Sequence, residues 1–296
     1  AAGNAGTTAT QAITYDTTAP TAPATPTIES KPINGSDVTS NSINSSEVDA
    51  GLYIKGTGEA NATVTLTFTT SSTTLANGNT ATVNAIGDWY IPITSADISN
   101  FGEGSESVTL TQTDVAGNTS SSSSSALEFD VDTVVAGSTF ALNTDSAGLS
   151  SSDGITNNAT VDVTLETDVA SWQYSTDAGE TWVTGSGTSF ELADDTTYAI
   201  DDIHVKQTDD AGNTSTAETN AAQIITDMTV PTVTIGNNNA DATVSDADAT
   251  VSYTATFTEA IASFSAADIT VSGDAGDGVE NFSLAGDKLS ATFTVT

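Results

Sequence analysis

The feature that most constrains the fold is an internal repeat. Residues 113–120 read Thr-Asp-Val-Ala-Gly-Asn-Thr-Ser, and residues 208–215 read Thr-Asp-Asp-Ala-Gly-Asn-Thr-Ser, 95 positions later. The same offset aligns the strand-like segments that follow, which end in Asp132 and Asp227. A repeat of about 100 residues indicates tandem domains, because one such unit is long enough to bury a core of its own.

Each copy ends in an aspartate, which we interpret as the start of a linker. A degenerate third copy opens the chain at residues 2–4 and ends at Asp16. Pro20 and Pro231 follow the first and last linker aspartates, and proline favours extended backbone. The last unit has no Ala-Gly-Asn hairpin, so we expect it to be incomplete, in a piece of a longer protein. The predicted divisions are a last strand and linker of a preceding repeat (1–16), two complete domains (17–132 and 133–227) and an incomplete one (228–296).

Within each unit, apolar residues alternate with Thr and Ser, which is the period of a half-buried strand. Residues 62–69 are the clearest case, and further strands are expected at 170–175, 180–183, 250–257, 268–271 and 288–295. We find no convincing amphipathic helix. Short alternating strands in units of this length are typical of immunoglobulin folds. We therefore predict an all-β chain of tandem immunoglobulin-like β-sandwich domains arranged end to end, with core anchors at Trp89, Trp172 and Trp182.

The charge of the chain excludes several partners. Its 296 residues include 39 Asp and Glu but only 4 Lys and Arg, for a formal net charge of −35. Without a basic patch the chain cannot displace counterions from phosphate, so we predict no nucleic-acid partner and no direct membrane contact. Cysteine is absent, which excludes disulfides and thiolate metal sites.

The sequence gives no sign of catalysis. No nucleophile elbow, phosphate loop or HExxH motif is present, so we predict no catalytic residue and no enzyme. The single histidine, His204, lies between Ile203 and Val205, which are expected to face inward. His204 should therefore point outward from its strand.

Several motifs of the middle unit stand together: residues 151–157 (Ser-Ser-Asp-Gly-Ile-Thr-Asn), 172–177 (Trp-Gln-Tyr-Ser-Thr-Asp) and 207–213 (Gln-Thr-Asp-Asp-Ala-Gly-Asn). With residues 87–89 of the first unit and 257–261 of the third, they resemble the tandem bacterial immunoglobulin-like (BIg) repeats of giant RTX-type surface adhesins. The resemblance covers nearly the whole chain, and it is looser in the third unit.

This resemblance implies a function in cell adhesion and biofilm formation. It implies a structural extender segment that projects a distal ligand-binding module from a Gram-negative cell, with calcium bound at the domain junctions. It further implies an extracellular, cell-surface location and export by a type I system. The expected partners are calcium ions and the adjacent immunoglobulin-like repeats of the same chain, and the expected state is a monomer.

The acidic loops can also be argued as calcium ligands from their own chemistry. Calcium takes six to eight oxygens, and this chain offers oxygen with almost no nitrogen or sulfur. In a sandwich the hairpin of one unit should approach the preceding linker. The predicted ligands are Asp16, Asp114 and Asn118 at the first junction; Asp132, Glu47, Asp49, Asp209, Asp210 and Asn213 at the second; and Asp227, Asp145, Asp153, Asp201 and Asp202 at the third. The alternative is that these are ordinary turn residues.

A direct ligand-binding role is the second hypothesis. Thr63, Thr65, Thr67 and Thr69 alternate on one predicted strand and would form a row of hydroxyls, which could bind carbohydrate or ice. Such a row is also the common solvated face of a strand, because Thr has high β propensity. A flat array of Thr across neighbouring strands would favour the binding hypothesis.

Overall fold

The computed structural model describes residues 3, 7–30, 42–70, 73–146, 153–238, 251–272 and 278–295. They belong to two compact units, residues 1–136 with 208–215, and residues 137–207 with 216–296. β-Sheets dominate both units, which confirms the predicted all-β fold of the sandwich type. The domain boundaries at 16, 132 and 227 and the end-to-end order stay predictions. Among the described residues, no helix has the length and apolar character of a membrane span.

The first unit packs two sheets against each other. Its elements are β1 (Thr27–Ser30), β2 (Ser42–Ile43), α1 (Ser45–Ala50), β3 (Leu52–Thr57), β4 (Thr63–Phe68), β5 (Thr80–Thr82), β6 (Asp88–Ile93), α2 (Ser95–Phe101), β7 (Gly104–Thr113) and β8 (Leu127–Val131). The sheet orders are β1-β3-β6 and β2-β8-β7-β4-β5. Alternation buries Val64, Leu66 and Leu110 against Trp89, while the Thr residues between them face outward.

The two helices of this unit are short, which explains why the sequence showed no amphipathic pattern. Each begins with a capping box, in which a side chain and a backbone N–H exchange hydrogen bonds across the first turn. In α1 the pair is Asn44 and Glu47, and in α2 it is Thr94 and Asp97. The caps fix the start of helices that are too short to be stable alone.

The described residues between 139 and 226 form ten short strands. They are β9 (Thr139–Leu142), β10 (Ile155–Thr156), β11 (Thr160–Thr164), β12 (Val169–Ser175), β13 (Val183–Thr184), β14 (Ser189–Glu191), β15 (Thr197–Tyr198), β16 (His204–Asp209), β17 (Glu218–Thr219) and β18 (Ile224–Thr226). The sheet orders are β10-β18-β15, β14-β11-β9 and β13-β12-β16-β17. Trp172 and Ile203 lie in their core.

Two aromatic predictions for this domain have different outcomes. Ile203 and Val205 are fully buried, so His204 between them points out of the core, as predicted. Trp182 is not a core anchor, because it is only half-buried and its ring lies 3.8 Å from Lys206 Nζ. Two of the three tryptophans therefore anchor cores, and the third pairs with a cation at the surface.

The described residues between 233 and 295 form one four-stranded sheet in the order β19-β20-β22-β21. The elements are β19 (Val233–Asn237), β20 (Val251–Phe257), a 3₁₀ helix (Ala266–Asp268), β21 (Val279–Leu284) and β22 (Ser290–Val295). The predicted strand at 268–271 is wrong. The Asp268 carboxylate instead accepts hydrogen bonds from the N–H and hydroxyl of Ser265, which fixes a helical turn there.

The segment before the first linker has no strand in its described residues, 7–16. Its assignment to the last strand and linker of a preceding repeat stays a prediction. Ile13 and Tyr15 are 88% and 89% exposed, so no sheet among the described residues covers them.

The close approach of Gly185 to Trp172 gives a test of core packing. A Cβ on Gly185 would lie 2.1 Å from the Trp172 ring, so Gly185→Ala must displace the indole. We expect it to lower the free energy of unfolding of this domain by about 1–3 kcal/mol, measured by urea unfolding with tryptophan fluorescence. Gly137→Ala is the matched control, since nothing lies within 4 Å of its added Cβ. Equal losses in both variants would contradict the packing argument.

Candidate metal centres at the linker aspartates

The first linker aspartate is held by the asparagine of the hairpin that follows it. Asn118 Nδ2 donates to the carbonyl oxygen of Asp16 at 3.2 Å and to Asp114 Oδ2 at 2.9 Å. Asp114 Oδ1 accepts from the N–H groups of Ala116 and Asn118, both at 2.8 Å. The Asn118 side chain is the largest cause that lowers the pKa of Asp114 from its usual 3.8. The structure thus brings together all three residues predicted at this junction.

The second hairpin repeats this geometry at the second linker. Asn213 Nδ2 donates to the carbonyl oxygen of Asp132 and to Asp209 Oδ2, both at 2.8 Å. Asp209 Oδ1 accepts from the N–H groups of Gly212 and Asn213 at 2.7 Å. Asn213 and Asp209 are 4% and 1% exposed, so these bonds are sheltered from water. Asn213 Oδ1 also accepts from the N–H of Ser45 at 2.9 Å.

The other residues predicted at this junction have different surroundings. The Glu47 carboxylate accepts from the N–H of Asn44 at 3.0 Å and so caps α1. Asp49 and Asp210 are exposed, on α1 and at the tip of the hairpin. The residue that sequence reasoning missed is Asn44, whose Nδ2 donates to the carbonyl oxygen of Ala211 at 2.8 Å. The Asn44-x-x-Glu47 spacing, which is typical of a capping box, could have pointed to this residue in the sequence.

The third linker aspartate lies among carboxylates. Asp195 accepts from the N–H of Met228 at 2.7 Å and the Thr229 hydroxyl at 2.8 Å. The Thr229 bond, followed by the Met228 bond, lowers the pKa of Asp195. Desolvation raises the pKa of Glu259, and the nearby charges of Asp227 and Asp195 raise it further. Glu259 Oε1 is buried with no hydrogen-bond partner, and a hydrogen bond between the side chains of Glu259 and Asp227 also raises the pKa of Glu259.

A cavity of about 790 Å³ opens beside this cluster. Its lining includes Asp153, Asn157, Asp227 and Glu259. Asp145 contacts the residue that follows Asp153. Its Oδ2 accepts from the N–H of Gly154 at 3.1 Å, and its Oδ1 is buried without a hydrogen-bond partner. The structure therefore brings predicted Asp153 and Asp227 to one cavity and adds Glu259, which sequence reasoning missed.

The predicted positions of Asp201 and Asp202 near Asp227 are wrong. β15 pairs antiparallel with β18, so the N-terminal end of β15, at Asp195, is the end that reaches Asp227. Asp201 instead accepts from the Thr219 hydroxyl at 2.6 Å, and Asp202 accepts a backbone N–H within its own turn. The direction of this strand pair decides which loop meets the linker.

The junctions differ in how well they suit a calcium ion. In the described part of the chain, no three His, Asp or Glu side chains converge closely enough to hold a metal. At Asp132 the oxygens of Asp209 and Asn213 already accept N–H groups, which leaves fewer free lone pairs for a cation. At Asp227 a cation would offset the clustered negative charge and would give the buried Glu259 oxygen a partner. The assignment of all these residues as calcium ligands stays a prediction.

The solved structures that match this chain include two from adhesion proteins. One is from work on host cell surface retention of a 1.5-MDa bacterial ice-binding adhesin, with 20% identity, a TM-score of 0.39 and coverage of 86% of this chain and 82% of that chain. Another is a tetra-tandem repeat in the extending region of a large adhesion protein, with 20% identity, a TM-score of 0.29 and coverage of 79% and 56%. No family model and no curated protein matches the chain.

The bond between Asn118 and Asp114 predicts a measurable pKa change. Asn118→Ala should raise the pKa of Asp114 toward 3.8, because the bond that lowers it most is lost. The stability that Asp114 contributes is present above 3.8 and is lost as pH falls through the lower folded-state pKa. Carboxyl-carbon NMR titration measures the shift. Thr119→Val is the control, since the Thr119 hydroxyl contacts Thr113 and not Asp114.

Proposed function

We propose that this chain is an extender segment of a large bacterial surface adhesin, stiffened by calcium at domain junctions and projecting a distal ligand-binding module. It acts outside the cell after type I export, as a monomer whose partners are calcium ions and its own neighbouring repeats. It has no catalytic role. The resemblance of its motifs to bacterial immunoglobulin-like repeats supports the adhesin part of this proposal.

The recurrence of one linker geometry supports a mechanical role. Asn118 holds the carbonyl of Asp16, and 95 residues later Asn213 holds the carbonyl of Asp132. A repeated bond between a hairpin and a linker backbone restricts the linker in each copy. Restriction of linkers is what a projecting stalk requires, because short unrestrained linkers let domains rotate.

The observation that carries the calcium part is the buried, unpartnered oxygen of Glu259 beside Asp227. In our proposal Asp227 and Glu259 hold the ion, together with the side-chain oxygen of Asn157 from the cavity wall. A bound calcium supplies the positive charge that lets these carboxylates stay ionised side by side. Because it binds only the ordered junction, calcium raises the stability of that state by mass action.

Calcium removal tests this proposal. In EDTA the fragment should melt at a lower temperature and give a shorter maximum dimension by small-angle X-ray scattering than it does in millimolar calcium. Extracellular calcium modules bind at about 10⁻⁴–10⁻³ M, so the change should occur in that range. An unchanged shape and melting temperature would contradict the calcium-stiffened extender.

A matched pair of variants locates the ion. Glu259→Gln removes one charge of the cluster and should weaken calcium binding about tenfold or more by isothermal titration calorimetry. It should also raise the stability measured in EDTA, because the repulsion from Asp227 is lost. Glu280→Gln makes the same change at an exposed position of β21 and should alter neither quantity. Equal effects would place the ion elsewhere.

A second candidate function, direct binding of ice or carbohydrate, is favoured by the outer face of the first unit. Thr63, Thr65 and Thr67 of β4 lie opposite Thr113, Thr111 and Thr109 of β7. On the other side Thr63 and Thr65 lie opposite Thr82 and Thr80 of β5. All eight are exposed or half-buried, so they form an array on one sheet face with spacings of about 4.8 Å across strands and about 6.7 Å along them. A periodic, neutral ligand suits such an array.

The second repeat suggests the variant that tests this array. At the positions equivalent to Thr109 and Thr111 it carries His204 and Lys206, so β7 should accept Thr111→Lys without unfolding. If the array binds, this variant should lose most of the wild-type inhibition of ice recrystallisation or retention on insoluble polysaccharide. Thr184→Lys, at an exposed site of β13, should keep it. Wild-type protein inactive in both assays would exclude this function.

A further inference from the structure

We infer that the Asp132 junction is closed by a hydrogen-bonded asparagine clasp that needs no metal, in contrast to the calcium site that we propose at Asp227. The asparagine clasp comprises Asn44, Ser45, Asp132, Ala211 and Asn213, which all belong to the first compact unit. The inference rests on the proposed extender function and states which of its junctions responds to calcium.

Both asparagine side chains of the clasp form hydrogen bonds through the nitrogen and through the oxygen of the amide. Asn213 donates through Nδ2 to the carbonyl of Asp132 at 2.8 Å and accepts through Oδ1 from the N–H of Ser45 at 2.9 Å. Asn44 donates through Nδ2 to the carbonyl of Ala211 at 2.8 Å and accepts through Oδ1 from the N–H of Glu47 at 3.0 Å. Asn213 is 4% exposed, so its bonds face little competition from water. No polar atom of either amide needs a further partner.

The oxygens of the clasp already accept hydrogen bonds from the chain itself. The Asn213 amide donates to the Asp132 carbonyl and to Asp209 Oδ2. Both Oδ atoms of Asp209 accept hydrogen bonds, from Gly212 and Asn213. A calcium ion at this place would have to displace several N–H donors and meet the amide nitrogen. Neutral N–H donors therefore stabilise the carboxylate of Asp209 here, as a cation would otherwise do.

The two junctions have the same backbone arrangement around the linker aspartate, which we call the platform. The N–H of Asp132 donates to the carbonyl of Ile43 at 3.0 Å, where β2 pairs parallel with β8. The N–H of Asp227 donates to the carbonyl of Thr156 at 2.9 Å, where β10 pairs parallel with β18. In each case a two-residue strand holds the linker aspartate through its backbone.

The side chains that lie against the platform differ between the two junctions. Asn44 and Asn157 follow the two short strands at equivalent positions. Asn44 meets the Ala-Gly-Asn hairpin, which brings the neutral Asn213, whereas Asn157 lines the cavity that contains the carboxylate of Glu259. The following domain therefore decides whether the junction is closed by an amide or by an acid that needs a counterion.

Hydrogen-exchange mass spectrometry of the whole chain tests the inference. The N–H of Ser45 reports on the clasp directly, because it donates to Asn213. Peptides covering 42–50 should exchange at the same slow rate in EDTA and in millimolar calcium. Asn213→Ala should speed their exchange about tenfold in both conditions, the factor for one buried hydrogen bond. Asn118→Ala, the same change in the first hairpin, should leave these peptides unchanged.

Asn213→Asp provides a second, nearly isosteric variant. Aspartate cannot donate to the Asp132 carbonyl and adds a carboxylate beside Asp209, so it should create a need for a cation. We expect fast exchange of 42–50 in EDTA that slows in calcium. Wild-type-like slow exchange of this variant in EDTA would overturn the clasp.

The same data separate the clasp from the proposed function. Peptides covering 153–157 and 227–232 report on the Asp227 junction. If calcium slows exchange there but not at 42–50, both proposals hold. If calcium slows exchange at 42–50 in the wild type, the clasp is wrong. If calcium changes neither region, the calcium part of the proposed function fails while the metal-free clasp stands.

Discussion

The backbone of each linker aspartate is the constraint on which the rest of the structure depends. At Asp132 the N–H donates to Ile43 at the end of β2, and the carbonyl accepts from Asn213 of the next hairpin. A backbone group sheltered from water must keep its hydrogen bond, so the linker cannot rotate without losing one. The strand before the linker and the hairpin after it are thereby held in one register.

The charge of the chain makes this constraint difficult to meet. With a net charge of −35, any junction collects carboxylates, and their mutual repulsion opposes close packing. Asp209 resolves this by accepting N–H donors from its own hairpin. Glu259 has no such donor on its buried oxygen, and desolvation together with the charge of Asp227 raises its pKa. The amide donors at Asp209 and the cation that we propose at Asp227 would thus answer one electrostatic problem in two ways.

The sequence repeat predicted the contacts between each Ala-Gly-Asn hairpin and the linker aspartate before it. The Ala-Gly-Asn hairpin had to approach the preceding linker, because one strand joins it to the far end of its own sandwich, and Asn118 and Asn213 do contact Asp16 and Asp132. What failed depended on pairing between distant strands. The direction of β15 against β18 decides that Asp195, and not Asp201, lies at the linker, and no local pattern encodes that direction.

Glu259 was missed for a related reason, and that reason bears on function. It lies outside the segments that repeat in the sequence, so no repeat offset points to it. On our proposal, the type of segment that follows each linker sets where calcium acts: an Ala-Gly-Asn hairpin gives a junction indifferent to calcium, and a segment like that of Glu259 gives a responsive one. Because a ligand stabilises only the state that binds it, calcium would on this proposal stiffen particular junctions and not all of them. The linkers at the other junctions would then keep their geometry when calcium is low.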